Sequence, residues 1–237
     1  LVARIHTLDR AWDKFDAYLF DIDGTLITCT DATHYFAFCH ALKILSGREL
    51  TLEGVVTHGN VDAGILRDAL TLAGVPESEW RYRLEEAQAI MGDFVHQRQG
   101  ELCMDVLPEV RSVLEHLRRT GAKLGVATGN LERIGQLKLE RAGLWRYFDF
   151  GGWSDGHERR TDVFCAALAK AKELCGDGSS VCVLGDTPCD VHAAHDNGLP
   201  VIAVATGIYS YEQLSETKPE MLLQSFAELF QKHQQAV

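Results

Sequence analysis

From about residue 105 onward, short and wholly apolar runs alternate with stretches whose apolar residues recur at helical spacing. The run 122–127 reads as a strand, and a helix follows it from Leu131 until Gly143 stops it. A weaker strand at 148–152 leads into a helix with Phe164, Ala167, Leu168, Ala171 and Leu174 at helical spacing and Thr161 as its N-cap. The runs 181–184 and 201–205 read as two more strands, separated by a brief helix ending near Asn197 and Gly198. An edge strand at 221–223 and a helix carrying Phe226, Leu229 and Phe230 close the series, and 18–20 supplies one strand near the start. Continuous apolar runs separated by amphipathic helices indicate a parallel sheet covered on both faces. The fold class expected is therefore α/β, a Rossmann-like parallel sheet core flanked by helices.

The stretch between the first strand and residue 103 has a different rhythm. Tyr35, Phe36, Cys39 and Leu42 predict one helix, and Ile65, Leu66, Ala69, Leu70 and Ala73 predict another. Trp80, Leu84, Ala87, Ile90, Met91 and Phe94 predict a third, with Ser78 as its N-cap. No strand pattern interrupts them. The expected organisation is an α/β core made of residues 1–27 and 104–237, with a helical cap inserted as residues 28–103.

Composition adds limits. Of 237 residues, 46% are hydrophobic and 24% charged, which suits an ordinary globular protein with a sizeable core. A formal charge of -11 argues against general nucleic-acid binding, although a small phosphorylated partner needs only local positive charge and backbone N–H groups. No segment approaches the roughly 20 apolar residues that span a bilayer, so no membrane partner is expected. The seven cysteines form no CxxC pair and sit mostly in apolar-periodic stretches, as buried or neutral thiols do in a reducing compartment. With neither a basic n-region nor a long apolar run at the start, the expected location is cytoplasmic.

Chemistry concentrates in three places, each at the end of an apolar strand. In Phe20-Asp21-Ile22-Asp23-Gly24-Thr25-Leu26, two carboxylates two residues apart on an extended segment face the same way, and Gly24 opens a turn. Ligands of open α/β sheets sit beyond the carboxyl ends of strands. A calcium loop is a poor alternative, because Thr25 and Ala32 stand where an EF-hand needs an acid or amide and a glutamate. In Val126-Ala127-Thr128-Gly129-Asn130, Thr128 offers a hydroxyl, while Gly129 and Asn130 offer backbone N–H groups to a phosphate at a helix start. In Val183-Leu184-Gly185-Asp186-Thr187-Pro188-Cys189-Asp190, Asp186 and Asp190 add two carboxylates. Four clustered carboxylates repel one another unless a cation sits among them, and hard oxygen ligands with room for water favour Mg2+.

Together, in this order, the three motifs resemble the signature set of the haloacid dehalogenase superfamily, and the closest likeness is to its phosphoglycolate-phosphatase-like branch with a helical cap. The resemblance implies a magnesium-dependent phosphatase of small phosphate monoesters. It makes Asp21 the nucleophile that forms an aspartyl-phosphate, Asp23 the acid and base, and Thr128 the holder of a phosphate oxygen. It gives Mg2+ to Asp21 and Asp186 through their side chains and to Asp23 through its carbonyl, with Asp190 in support. The family's third motif is usually a Lys before a helix. Here the stretch is Glu158-Arg159-Arg160-Thr161-Asp162, and Arg160 takes that role if Thr161 caps the helix, with Arg159 as the fallback.

Some residues tempt more than they carry. His192 and His195 lie three apart beside the third motif, with no further His or Cys to complete a zinc set. His58-Gly59-Asn60-Val61-Asp62 lies where relatives place a loop reaching toward the site, so His58, Asn60 and Arg67 are candidate substrate contacts. Cys29 and Thr28 are candidates to line the pocket. Asp23 counts against dehalogenase and phosphonoacetaldehyde hydrolase chemistry, which depart at that position. A phosphomutase of the β-phosphoglucomutase type keeps both aspartates and is the main alternative, and a non-catalytic binding protein is the second. Phosphoglycolate is the first substrate suggested, by analogy, and no feature of the sequence specifies an oligomeric state.

Overall fold

The structure, a computed structural model, describes residues 8–231; the outer ends of the expected core, residues 1–7 and 232–237, lie outside the described residues. In chain order the strands are β1 (Ala17–Phe20), β2 (Ile27–Cys29), β3 (Met104–Val106), β4 (Lys123–Ala127), β5 (Phe150–Gly152), β6 (Val181–Gly185), β7 (Val201–Val204) and β8 (Met221–Leu223). The helices are α1 (Thr33–Ser46), α2 (Asp62–Leu72), α3 (Glu77–Trp80), α4 (Leu84–Gln97), α5 (Val110–Thr120), α6 (Glu132–Arg141), α7 (Arg160–Cys175), α8 (Pro188–Asp196), α9 (Tyr211–Glu216) and α10 (Ala227–Gln231).

Six strands form one parallel sheet in the order β5-β4-β1-β6-β7-β8, with helices on both faces, so the chain has the α/β architecture its pattern predicts. Strand side chains alternate between faces. Tyr18, Phe20, Leu124, Val126, Cys182, Leu184, Ile202 and Val204 therefore pack into one core with α5 and the C-terminal Phe226 and Leu229. Ala17, Leu19, Ala127, Val181, Val183, Val201 and Ala203 point into the other, against Val163, Phe164, Ala167 and Ala171 of α7 and Val191 of α8. Both faces are apolar because both are buried, which is why these strands carry no polar alternation.

The helices α1 to α4 build a third cluster from Phe38, Leu42, Leu66, Leu70, Trp80, Ala87 and Met91, and it is completed by Leu131, Ile134 and Leu137 at the start of α6. The helical insertion thus rests on the beginning of α6. Two details differ from the sequence reading. First, a two-stranded antiparallel ribbon of β2 and β3 stands at the base of the insertion, pairing Ile27 with Val106 and Cys29 with Met104. Three-residue strands carrying Thr28 and Asp105 are too short for a period to show. Second, Ser78 lies inside the short α3 instead of capping a long helix. There Trp80 donates its indole N–H to Val75 O at 3.2 Å, and a 3-10 turn at Arg81–Arg83 separates α3 from α4. Among the described residues no helix is long and apolar enough to cross a membrane.

Candidate active site

Register sets the site. Phe20 is level with Val126 on one side and Leu184 on the other, so β4, β1 and β6 end together. Asp21, Thr128 and Asp186 each follow one of those three ends and converge. Gly24 turns the chain after Asp23 with φ 85, a conformation that L side chains rarely adopt. A Cβ on Gly24 would fall 2.3 Å from Asp186 Oδ2, and one on Gly207, beyond β7, would fall 1.8 Å from the same oxygen. Two bare backbones therefore close on the Asp186 carboxylate, whose Oδ1 accepts the Thr25 hydroxyl at 2.8 Å.

Asp21, Asp186 and Asp190 are buried, and each places an oxygen within 4.8 Å of the others. Burial pushes the Asp186 carboxyl well above its ordinary range, and the charges of Asp21 and Asp190 push it further. Burial likewise raises Asp21 to about 6; the Arg160 charge opposes the rise, and Asp190 and Asp23 add to it. A dry cluster of oxygen ligands with more negative charge than its surroundings neutralise fits a hard divalent cation such as Mg2+.

Arg160 is the first residue of α7, with Arg159 at the N-cap position. The helix thus begins two residues earlier than the Thr161 cap implied; Thr161 instead donates its hydroxyl to Asp196 Oδ2 at 3.0 Å. The two arginines part company. Arg159 is exposed and pairs with Asp162 three residues on. Arg160 is buried, its Nη2 2.8 Å from Asp21 Oδ1 and 2.6 Å from Asp190 Oδ1. Its Nε donates to the same Asp190 oxygen at 2.7 Å. Asp190 Oδ2 accepts from the Thr187 N–H at 3.0 Å and hydroxyl at 2.7 Å, as the N3 partner of a capping box at the start of α8. Both Asp190 oxygens are engaged within the protein.

Thr128 is fully buried, and its Oγ1 accepts from Asn130 Nδ2 at 2.8 Å. Asn130 Nδ2 also donates to Asp23 Oδ2 at 2.8 Å, so the second motif braces the first. Gly129 sits where a Cβ would meet the Asn60 carbonyl oxygen at 2.1 Å. Asn60 lines the cavity, but its side chain is engaged by its own loop and by α2: Nδ2 donates to Val56 O at 3.1 Å and Asp68 Oδ2 at 3.3 Å, and Oδ1 accepts from the Val61 N–H at 2.8 Å. Arg67 pairs with Asp68 and Glu158, and His195 with Glu220.

Asp21, Asp23, Thr128, Asn130, Arg160 and Asp186 open on one cavity of about 480 Å³, whereas Asp190, Arg159, Arg67 and His195 do not line it. The sheet domain supplies Asp21, Asp23, Thr128 and Asp186 to its wall, and the insertion supplies His34, Phe38, His58 and Ile65.

The sequence profile of haloacid dehalogenase-like hydrolases matches residues 18–204. The chain belongs to that family. Its relatives include a protein of Dickeya dadantii named "Probable phosphatase IndB", 27% identical, with 89% of this chain and 90% of that protein aligned. Pyrophosphatase PpaX of Bacillus velezensis is 26% identical over 91% of this chain and 95% of its own. Among solved structures, CbbY from Rhodobacter sphaeroides in complex with phosphate superimposes with a TM-score of 0.67 at 22% identity, covering 91% of this chain and 96% of that one, a likeness of fold.

Sequence reasoning about this haloacid dehalogenase-like hydrolase passed over Lys138. It stands on α6, four residues after Ile134 and seven after Leu131, on the stripe that faces inward. A lysine on a buried stripe is the signal that was there to read. Its Nζ donates to Asp23 Oδ2 at 2.7 Å and to Asn130 Oδ1 at 2.8 Å. Burial alone would raise the Asp23 carboxyl. The Lys138 charge and the hydrogen bonds from Lys138 and Asn130 outweigh it and hold Asp23 well below the usual carboxylate range. His34 and Asp62, from the insertion, were passed over as well.

Proposed function

We propose that the chain is a magnesium-dependent phosphatase that hydrolyses a small phosphate monoester through an aspartyl-phosphate on Asp21. The observation that carries this reading is the buried trio of Asp21, Asp186 and Arg160 at the floor of a cavity roofed by the helical insertion. The phosphatase names of IndB and PpaX support it.

In the first half-reaction an Asp21 oxygen attacks phosphorus. Asp23, ionised beside Lys138 in the free site, takes up a proton as the anionic ester binds; the bond from phosphorus to the ester oxygen then breaks, and that oxygen leaves with this proton. In the second, water attacks phosphorus, Asp23 takes its proton, and the bond from phosphorus to Asp21 breaks to release phosphate. Thr128 holds a phosphate oxygen through its hydroxyl, with the backbone of Gly129 and Asn130 beside it. Arg160 bridges nucleophile and phosphate; its planar fork suits two acceptors at once.

Mg2+ would be held by the Asp21 and Asp186 side chains and the Asp23 carbonyl, and would supply screening between the attacking carboxylate and the anionic phosphate. Asp190, with both oxygens engaged, supports the site by fixing Arg160 in place.

Residues 28–103 act in this reading as a cap that excludes water and limits substrate size. A cavity of about 480 Å³ suits a small molecule over a folded phosphoprotein. Phosphoglycolate is the first ester to assay, followed by sugar phosphates and nucleotides. The test is phosphate release from such a panel with and without Mg2+, beside Asp21→Asn. Release that requires Mg2+ and is lost in the variant supports the reading. No release from any ester, with isomerisation of a sugar phosphate instead, would replace it with a mutase.

A further inference from the structure

Lys138 Nζ is almost sealed from solvent, its side chain 4% exposed against 41% for Asp23. It reaches both Asp23 oxygens, at 2.7 and 3.0 Å, and Asn130 Oδ1 at 2.8 Å. A third direction is filled by His34 Nδ1 at 3.3 Å. An ammonium only donates. His34 Nδ1 is therefore the acceptor, and Nε2 is left to donate to Asp62 Oδ2, 3.1 Å away. Asp62 Oδ2 also accepts the Leu131 N–H at 2.9 Å, at the start of the helix that carries Lys138.

These bonds form a circuit with a definite division of labour. Asp23, Asn130, Leu131 and Lys138 belong to the sheet domain, whereas His34 is on α1 and Asp62 on α2 of the insertion. Asp23 has other neighbours in Asn130 Nδ2 at 2.8 Å and Cys29 Sγ at 3.2 Å, but the only ammonium among them is that of Lys138. A lysine stem is long and flexible, so its head stays in one place only if every direction is filled. The sheet domain fills two of the three. The insertion fills the last.

Resting on the phosphatase reading above, we propose that Lys138 is a positioning residue for Asp23, and that α1 and α2 complete its hold through His34 and Asp62 when the insertion is seated on α6. Seating of the insertion and orientation of the acid–base carboxylate are then one event. An ester entering while the insertion is lifted would meet an Asp23 that is not yet aimed.

The experiment uses the whole chain with Lys138→Met, Lys138→Arg, His34→Ala and the Lys138→Met/His34→Ala double variant. Two quantities are read: kcat and KM for the best ester at saturating Mg2+, and amide hydrogen exchange over 33–46 and 62–72 without substrate. Lys138→Met is expected to lower kcat about 100-fold or more with KM within about threefold, because an orienting group acts on the chemical step. Lys138→Arg falls between, since it keeps the charge and changes the fork. His34→Ala lowers kcat about tenfold alone and adds nothing to Lys138→Met, as members of one circuit do. Exchange in α1 and α2 rises about tenfold in Lys138→Met and in His34→Ala.

An unchanged kcat in Lys138→Met, a rise in KM alone, or fully additive Lys138 and His34 effects would overturn the proposal; a rise in KM alone would make Lys138 a substrate contact. Unchanged exchange would overturn the link to the insertion. Should Lys138→Met fail to fold, Lys138→Arg and His34→Ala carry the same two readouts. A wild-type protein that releases phosphate from no ester would defeat the phosphatase reading, while the exchange measurement would still decide whether Lys138 ties the insertion down.

Discussion

Arg160 Nη2 stands 2.8 Å from Asp21 Oδ1, at the first residue of a helix whose N-cap position is held by another arginine. The two side chains leave that turn in opposite directions, one into the site and one into solvent. Arg160→Ala removes the cation that Asp21 and Asp190 share, and losing one partner of a buried pair costs about 3–5 kcal/mol. Expected are a loss in kcat/KM of roughly 100-fold or more and a clearly lower melting temperature. Arg159→Ala breaks only an exposed pair and is expected to stay within about threefold in kcat/KM. Reversed magnitudes would move the role by one residue.

Asp21→Asn keeps the shape of the nucleophile and removes its charge. Steady-state turnover should fall by roughly 1,000-fold or more, since no other group supplies the attacking oxygen. EDTA should silence the wild-type protein, and Mg2+ should restore it. Turnover that persists in the variant, once deamidation is ruled out by mass spectrometry, would remove Asp21 from its role.

Gly207 marks how closely the backbone approaches Asp186. A Cβ there would lie 1.8 Å from Asp186 Oδ2, so Gly207→Ala must displace the carboxylate or the loop. The Mg2+ concentration needed for half-maximal activity is expected to rise about tenfold, the scale for disturbing a metal's supporting shell. A metal titration of activity, together with calorimetric Mg2+ binding, measures this; an unchanged midpoint would take Asp186 out of the proposed ligand set.

Asp149 gives a pH prediction away from the site. Burial would raise its carboxyl, but the Leu124 N–H at 3.0 Å and the charges of Arg118 at 2.8 Å and Lys123 at 3.4 Å lower it overall. Its folded value therefore lies below its unfolded one, so its contribution is full above about pH 4 and is lost as pH falls through the folded value. Asp149→Asn should lower the melting temperature at neutral pH and flatten its decline below about pH 4. Parallel curves for wild type and variant would contradict this.

The sheet was legible because each strand is buried on both faces and writes its position as an unbroken apolar run; β4, β6 and β7 were read to within a residue or so. The first and third motifs were legible because carboxylates after such runs have few structural reasons to be there. What stayed hidden depends on long-range contact. The β2–β3 ribbon is too short to carry a period, and Arg160 was preferred to Arg159 through an N-cap at Thr161, where the helix in fact begins at Arg160 itself. Lys138 and Asp62 are brought together from different layers, so neither shows its partner in the local pattern. Asn60 lines the cavity, but its polar atoms are taken up by its own loop and by Asp68 of α2.

The β2–β3 ribbon has a use in engineering. The chain leaves the sheet domain through Ile27–Cys29 and returns through Met104–Val106 as hydrogen-bonded neighbours, so the two crossing points lie about 5 Å apart. A turn of about two to five residues is enough to join such a pair. The whole helical segment is then removable in one cut, provided Leu131, Ile134 and Leu137, which it covers, are exchanged for polar residues. What would remain is an open sheet face, broad enough for phosphate groups carried on polymers that the roofed cavity keeps out, with Asp23 held by Lys138 and Asn130 without the insertion.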